Sequence, residues 1–241
     1  MATTTPDHRS SRSRPAPPPS TLVLLVRHGT TPTTGKVLPG RAPGLHLADT
    51  GKEQAETVAG RLTAWSSRPA SPNGKGSPGA PERRIKAVYA SPLERTKETA
   101  APIARSLGLK VQVHRGLLEC DFGEWTGAEL KKLMKLPEWT TVQRYPSGFR
   151  FPGGESFTAM QARMVTTLAE LCRNHPNEAV VAVSHADPIK AAVAAALGSH
   201  LDLFQRIVVS PCSVTAISYG VTGPTVLAVN STSELKELVP S

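Results

Sequence analysis

The chain has 241 residues, of which 39% are hydrophobic and 5% aromatic. This length suits one large α/β domain or two small ones. No apolar run approaches the ~20 residues of a membrane-spanning helix, so we expect no membrane partner. The formal net charge of +9 makes a nucleic-acid partner the first alternative to test.

Most of this positive charge lies in two segments rich in Pro, Gly and Ser. Residues 1–20 carry a net charge of +2 and residues 66–86 a net charge of +4, which leaves +3 for the rest of the chain. No aromatic residue lies among these charges, so the stacking platform of a single-strand binder is missing. We therefore expect no nucleic-acid partner, and the remaining surplus suits a small anionic substrate.

Composition also predicts the domain organisation. Residues 1–20 are expected to form a disordered basic tail, and residues 21–230 one folded domain with a flexible insertion at 66–82. Residues 231–241 are expected to form a C-terminal tail. The chain has three cysteines without a C-x-x-C spacing, which argues against a disulfide framework or a zinc site and predicts a cytoplasmic location.

Apolar runs and turn signals alternate along the chain and predict strands and helices in turn. The predicted strands are 22–27, 85–90, 110–114, 178–185, 213–219 and 225–229. Helices are predicted to begin near Thr50, Ser91, Thr126, Glu155 and Asp187.

Capping signals set the expected helix ends. Ser91 and Pro92 predict a cap and a first helical position, and Gly108 predicts the end of that helix. Thr126 and Glu129 predict a capping box for a helix that ends near 134. Residues 136–152 are expected to be irregular, and Asp187 is expected to cap the last helix.

Strands that alternate with helices predict an α/β fold, a three-layer sandwich in which a mostly parallel central sheet has helices on both faces. In such sheets ligands bind outside the carboxyl ends of the strands. Polar side chains collect at those ends: Arg27 and His28 after the first strand, Arg95 after the second, and His185 after the fourth. Glu119 follows the third strand, so we expect all five groups at one edge of the sheet.

Four motifs carry a resemblance to a known family. They are V-R-H-G-T-T (26–31), Y-A-S-P-L-E-R-T-K-E-T-A (89–100), L-L-E-C-D-F-G-E-W-T-G (117–127) and A-V-S-H-A-D-P-I-K (182–190). In order and spacing, residues 22–220 resemble the histidine phosphatase superfamily, which includes the cofactor-dependent phosphoglycerate mutases. One R-H-G alone is a weak signal, but four motifs in this order make coincidence very unlikely.

The resemblance implies a role for each group. His28 is implied as the nucleophile that forms a phosphohistidine, and His185 as a donor that stabilises the transferring group. Glu119 is implied as the general acid and base, since the E-x-x-F-G pattern favours it over its acidic neighbours. Arg27 and Arg95 are implied as phosphate ligands, because a guanidinium can donate two parallel N–H bonds to a phosphoryl group.

The resemblance also implies phosphate contacts from Thr34 and Gly40 in the first loop. No metal and no cofactor are implied, since the arginines supply the charge that a metal ion supplies elsewhere. One departure stands out: this chain has S-H-A-D-P at 184–188 where many relatives resemble S-H-G-G, so the backbone beside His185 is expected to differ.

Phosphatases and mutases of the family share these five groups, so two activities stay open. About 35 residues separate Glu119 from the long helix, and mutases usually have a larger insertion there. An open site admits water, so hydrolysis of a small phosphorylated metabolite is favoured. A phosphoglycerate mutase-type phosphomutase is the alternative, and a phospho-ligand-binding regulatory protein without turnover comes third. The sequence leaves the oligomeric state undetermined.

Overall fold

The structure, a computed structural model, describes residues 20–67, 84–233 and 235. The strands are β1 (Ser20–Arg27), β2 (Ile85–Ala90), β3 (Val111–Val113), β4 (Ala179–Ser184), β5 (Val214–Gly220) and β6 (Gly223–Ser231). The α-helices are α1 (Asp49–Ser66), α2 (Glu94–Leu107), α3 (Leu130–Leu133), α4 (Glu138–Arg144), α5 (Phe157–Asn174) and α6 (Ala186–Ala196).

The six strands form one sheet in the order β3-β2-β4-β1-β5-β6. The pairs β3/β2, β2/β4 and β4/β1 are parallel, and β5 and β6 add an antiparallel hairpin beside β1. The predicted α/β sandwich is confirmed. Because β1, β2 and β4 run in the same direction, their carboxyl ends meet at one edge of the sheet.

Helices cover both faces of the sheet. The β1 side chains Leu22, Leu24 and Val26 pack in one core cluster with α1 and α2, and Val23 and Leu25 pack in the opposite cluster with α5 and α6. This alternation follows from the two-residue period of a strand. Arg27, the last residue of β1, is therefore on the α5/α6 side of the sheet.

A third core cluster is aromatic and lies around the segment that follows Glu119. The rings of Phe122 and Phe151 are 4.9 Å apart in a T-shaped contact, and Trp125 packs 5.5 Å from Phe149. The start of α5 joins this cluster through Phe157. The segment that follows Glu119 contains no strand of the sheet, and this separate aromatic cluster packs it against the rest of the protein.

Three predicted boundaries are wrong. α2 begins at Glu94 and not at Ser91, because the Ser91 hydroxyl bonds His185 and Thr96 instead of a helix N–H. The capping box fails because Thr126 ends a short 3₁₀ turn and α3 begins only at Leu130, although α3 ends at Leu133, close to the predicted end. The expected irregular stretch 136–152 contains α4, a seven-residue helix.

Asp187 was expected to cap the last helix, and this too is wrong. His185 is the N-cap residue of α6, and Asp187 lies within its first turn. The predicted tail at 1–20 and insertion at 66–82 lie almost wholly outside the described residues. So does most of the predicted tail at 231–241, although β6 continues to Ser231 and Leu235 is buried against the α1/α2 cluster.

Candidate active site

The nucleophile predicted by the resemblance lies at the carboxyl end of β1. His28 is buried, and its backbone N–H donates to the carbonyl of Ser184 at 3.0 Å, which ties the β1 and β4 ends together. Its Nδ1 is 2.8 Å from the Gly29 carbonyl. A carbonyl only accepts, so Nδ1 carries the proton and Nε2 has the lone pair.

The His28 ring is held neutral. Burial, the Arg95 charge and the Arg27 charge lower its pKa to about 3, against the opposing effect of the hydrogen bond that Nδ1–H donates to the Gly29 carbonyl. A protonated imidazole has no lone pair to donate to phosphorus. At neutral pH the Nε2 of His28 is therefore ready to act as a nucleophile.

Arg95 is the fully buried cation at the centre of the site. Its Nε–H points at His28 Nε2 at 3.3 Å, and its Nη2 donates to the Gly40 carbonyl at 2.8 Å. The same Nη2 is 3.3 Å from His185 Nδ1. Burial lowers the pKa of this guanidinium, but an arginine starts so high that it keeps its charge.

His185 contacts the site through one nitrogen and the protein core through the other. Its Nε2 is 2.8 Å from the Ser91 hydroxyl, which in turn is 2.8 Å from the Thr96 hydroxyl. Thr96 Oγ1 donates to a main-chain carbonyl. Because the one Thr96 hydroxyl proton is used in this way, Thr96 Oγ1 accepts from the Ser91 hydroxyl. The Ser91 oxygen then accepts from His185, so the hydrogen-bond network assigns the proton of His185 to Nε2.

This tautomer leaves a lone pair on His185 Nδ1, which accepts from Arg95. Burial and the neighbouring cations hold the pKa of His185 well below its ordinary value. In this arrangement the ring orients the Arg95 guanidinium. A donor role toward a phosphoryl group needs a second proton on Nδ1, and the nearest carboxyl oxygen, Glu119 Oε2, is 4.0 Å away.

Arg27 is the second cation. One end of its guanidinium is anchored, since Nη1 donates to the Val209 carbonyl at 2.7 Å. Within the described residues, Arg27 Nε and Arg95 Nη1 are buried N–H groups without a hydrogen-bond partner. Buried donors of this kind are rare unless a ligand or water meets them, so both atoms fit an anion.

Glu119 is buried and its environment opposes ionisation. Burial first, and the Asp187 charge second, raise its pKa to about 7. One carboxyl oxygen, Oε1, accepts the N–H of Cys120 at 2.9 Å. A carboxyl group that keeps its proton near neutral pH can act as a general acid.

The two loop residues implied as phosphate contacts lie in different places. The Gly40 carbonyl accepts from Arg95, and a Cβ at this buried position would come within 2.9 Å of Thr126 Oγ1. Thr34 Oγ1 instead accepts the N–H of Thr31 at 2.9 Å inside its own turn. The structure therefore connects Gly40 to the site through Arg95, and the direct phosphate contacts of both residues stay predictions.

The structure thus brings five predicted groups together: Arg27, His28, Arg95, Glu119 and His185. It also adds Ser91, which sequence reasoning took for a helix cap. Asp187 also belongs to the site electrostatically, since its charge acts on both Glu119 and Arg27. The departure from S-H-G-G at 184–188 was the available signal for this carboxylate.

Two observations concern metal binding and membrane insertion. Among residues 20–67, 84–233 and 235, no group of three His, Cys, Asp or Glu side chains is placed to hold a metal ion. Across the same ranges, every helix is too short or too polar to span a bilayer.

Comparison with known proteins identifies the family. The family model of the histidine phosphatase superfamily (branch 1) matches residues 79–232. Phosphoserine phosphatase 1 of Hydrogenobacter thermophilus is 30% identical over 220 residues, which cover 89% of this chain and 94% of the relative.

Solved structures share the fold. A phosphoserine phosphatase from Entamoeba histolytica, in complex with phosphoserine, has a TM-score of 0.74 at 24% identity over 89% of this chain and 99% of its own. The mycobacterial glucosyl-3-phosphoglycerate phosphatase has a TM-score of 0.73 at 23% identity over 88% and 100%. The chain belongs to the histidine phosphatase superfamily.

Proposed function

We propose that this chain is a phosphatase that hydrolyses a small phosphomonoester through a phosphohistidine on His28. The observation that carries the proposal is the pairing of opposite protonation states in one buried site. His28 is held neutral with a lone pair on Nε2, and burial raises the pKa of the Glu119 carboxyl to about 7, so a protonated fraction persists at neutral pH. A nucleophile and an acid are therefore available together.

The first chemical step transfers the phosphoryl group to the enzyme. His28 Nε2 forms a bond to phosphorus while the bond to the substrate oxygen breaks, and Glu119 gives its proton to that oxygen. The buried N–H groups of Arg27 and Arg95 neutralise charge on the equatorial oxygens. The products are an alcohol, a phosphohistidine and a carboxylate.

The second step restores the enzyme. A water molecule attacks phosphorus, its proton goes to the Glu119 carboxylate, and the bond between phosphorus and Nε2 breaks. Inorganic phosphate leaves, and Glu119 is again protonated. The same group acts first as an acid and then as a base, so a single carboxyl serves both steps.

Relatives guide the choice of substrates. The relative from Hydrogenobacter thermophilus is named a phosphoserine phosphatase, so phosphoserine is the first member of the panel, followed by phosphorylated sugars and glycerates. Phosphate release is measured for each, with His28→Ala as the control. Phosphoglycerate isomerisation is assayed in parallel, and isomerisation without phosphate release would replace the phosphatase by a mutase.

The proposal includes a setting for the reaction. All three cysteines are free thiols, which supports a reducing cytoplasm. The substrate is a free phosphorylated metabolite, and neither nucleic acid nor membrane is a partner.

The proposed domain organisation is one catalytic domain over 21–230, with an insertion at 66–82 and tails at 1–20 and 231–241. Phosphatase activity of a protein trimmed to 21–230 tests it.

A further inference from the structure

Arginine side chains hold the main chain that carries Glu119. Arg41 Nε donates to the Glu119 carbonyl at 2.8 Å. Arg163 donates to the carbonyls of Gly116 at 2.7 Å, Leu118 at 2.9 Å and Glu119 at 3.3 Å. Three carbonyls within four residues thus accept from two side chains that are distant in sequence.

One carboxylate holds both arginines. Glu155 Oε2 accepts from Arg41 Nη2 at 2.9 Å and from Arg163 Nη2 at 2.9 Å, and its Oε1 accepts from Arg163 Nε at 3.0 Å. The pairing with Arg163 is bidentate, which fixes orientation as well as distance. The Glu155 side chain is 14% exposed, so solvent screens these contacts less than it would on an open surface.

The main chains of the two segments also touch. Asp121 N–H donates to Glu155 Oε2 at 3.3 Å, and Glu155 N–H donates to the Asp121 carbonyl at 2.8 Å. A Cβ at Gly154 would lie 2.4 Å from the Asp121 carbonyl oxygen, so only glycine permits this approach. Glu155 is therefore fixed against the segment whose arginines it holds.

We propose that Glu155 is a positioning residue for the general acid: through Arg41 and Arg163 it fixes the main chain at 116–119 and so the place of the Glu119 carboxyl. This inference rests on the role of Glu119 in the proposed function. Arg41 also follows Gly40, whose carbonyl holds Arg95. The clamp formed by Glu155, Arg41 and Arg163 thus joins the acid to the phosphate-binding side of the site.

The clamp matters because proton transfer depends on distance. A general acid must lie within about 2.6–3.2 Å of the leaving oxygen, and a misplacement of about 1 Å in an active site can cost about 100-fold in rate. Loss of the clamp should thus slow phosphoryl transfer to His28, the step that kcat/KM reports, only for substrates that need a proton on the leaving group. p-Nitrophenolate leaves without one.

The test compares two substrates in Glu155→Gln. The amide keeps one acceptor oxygen but replaces the other by an N–H₂ group that cannot accept from an arginine, so the clamp loses contacts and charge and loosens. For an alkyl phosphate from the panel, kcat/KM should fall about 10- to 100-fold. For p-nitrophenyl phosphate it should stay within about threefold of the wild type. Arg41→Met removes the more exposed of the two arginines. It should show the same difference between the two substrates, with a smaller fall for the alkyl phosphate.

Glu56→Gln is the matched control. Glu56 lies on α1, and its carboxylate accepts from Arg105 Nη2 at 2.7 Å with 62% of its side chain exposed. No described contact joins this pair to the main chain at 116–119, so both substrates should keep their rates within about twofold. Unfolding curves for all variants show that the assays are made on folded protein.

A double variant separates positioning from general damage. In the Glu119→Gln background no acid is left to position, so adding Glu155→Gln should change the alkyl phosphate rate by less than about threefold. Equal losses on both substrates, no loss at all, or an undiminished loss in that background would each overturn the inference. If Glu119→Gln alone shows no dependence on the leaving group, the proposed acid itself fails.

Discussion

The two halves of the site are built by different means. His28 and His185 directly follow β1 and β4, and Arg95 follows β2 by one turn. Glu119 lies on a loop with no strand beneath it, and side chains from Arg41 and Arg163 hold its main chain. The sheet places the two histidines and the two arginines, whereas side-chain bonds hold the main chain of Glu119, the proposed acid.

The electrostatics of the two halves also differ. Burial next to cations lowers the pKa of His28 to about 3. Burial near Asp187 raises the pKa of Glu119 to about 7. Both shifts oppose charge, but one produces a free base and the other a protonated acid. Burial is the largest cause of both shifts and prepares both partners of the proposed reaction, and each can be tested separately.

Removing the nucleophile should have the largest effect. His28→Ala should lower kcat by more than about 10⁴-fold on every substrate, as expected when a covalent step is lost. The leaving group should not change this loss. Phosphate release with good and poor leaving groups measures it, and residual activity above about 1% of wild type would exclude His28 as the nucleophile.

Removing the acid should separate the substrates. Glu119→Gln should slow an alkyl phosphate about 10² to 10⁴-fold, because that leaving oxygen needs a proton. In kcat/KM, which reports the steps through phosphoryl transfer to His28, p-nitrophenyl phosphate should lose less than about tenfold. A plot of log kcat/KM against leaving-group pKa should become steeper. An unchanged slope would move the acid to another group, with Asp121 or Asp187 tested next.

Replacing a guanidinium by an ammonium should have a smaller effect. Arg95→Lys keeps the charge but loses the donors that meet Gly40, His28 and His185. A fall of about 100-fold in kcat/KM on all substrates is expected, since a point charge cannot replace the planar fork. If lysine restored full activity, charge alone would explain the anion site.

His28 and Glu119 should change the free energy of unfolding of the protein in opposite directions as the pH changes. His28 has a pKa of about 3 when folded and about 6.5 when unfolded. Between these values the unfolded chain binds the extra proton, so lowering the pH from 7 to 5 should cost about 2 kcal/mol of stability at this residue. His28→Ala should remove that loss.

The contribution of Glu119 to folding stability changes with pH in the opposite direction. Its pKa is about 7 when folded and about 4.3 when unfolded, so in this window the folded protein keeps a proton that the unfolded chain releases. Raising the pH from 5 to 8 should cost about 2–3 kcal/mol, and Glu119→Gln should avoid it. Urea unfolding of wild type and both variants at pH 5, 7 and 8 measures the differences. Parallel pH curves for all three proteins would contradict the opposed shifts.

The sequence predicted the sheet-based half well, because apolar runs mark buried strands and parallel strands bring their ends together. His28, Arg95 and His185 were found in this way. In α1, Ala55, Val58 and Leu62 are spaced three and four residues apart and are likewise buried.

The other half depends on long-range side-chain contacts that no local pattern shows. Arg41 and Glu155 are 114 residues apart in the chain, and neither carries a motif that points to the other. Ser91 looked like a helix cap because Pro follows it, whereas tertiary hydrogen bonds to His185 and Thr96 take its hydroxyl. The short α4 had too few turns for a periodic signal.

Trapping of the covalent intermediate tests the central claim most directly. Wild-type protein is mixed with phosphate-labelled substrate, quenched within milliseconds in base, and digested for mass spectrometry. The account predicts base-stable, acid-labile phosphate on the peptide that contains His28, at a level that rises and falls with turnover and is absent in His28→Ala. Turnover by the wild type with no phosphate on His28 at any time would contradict it.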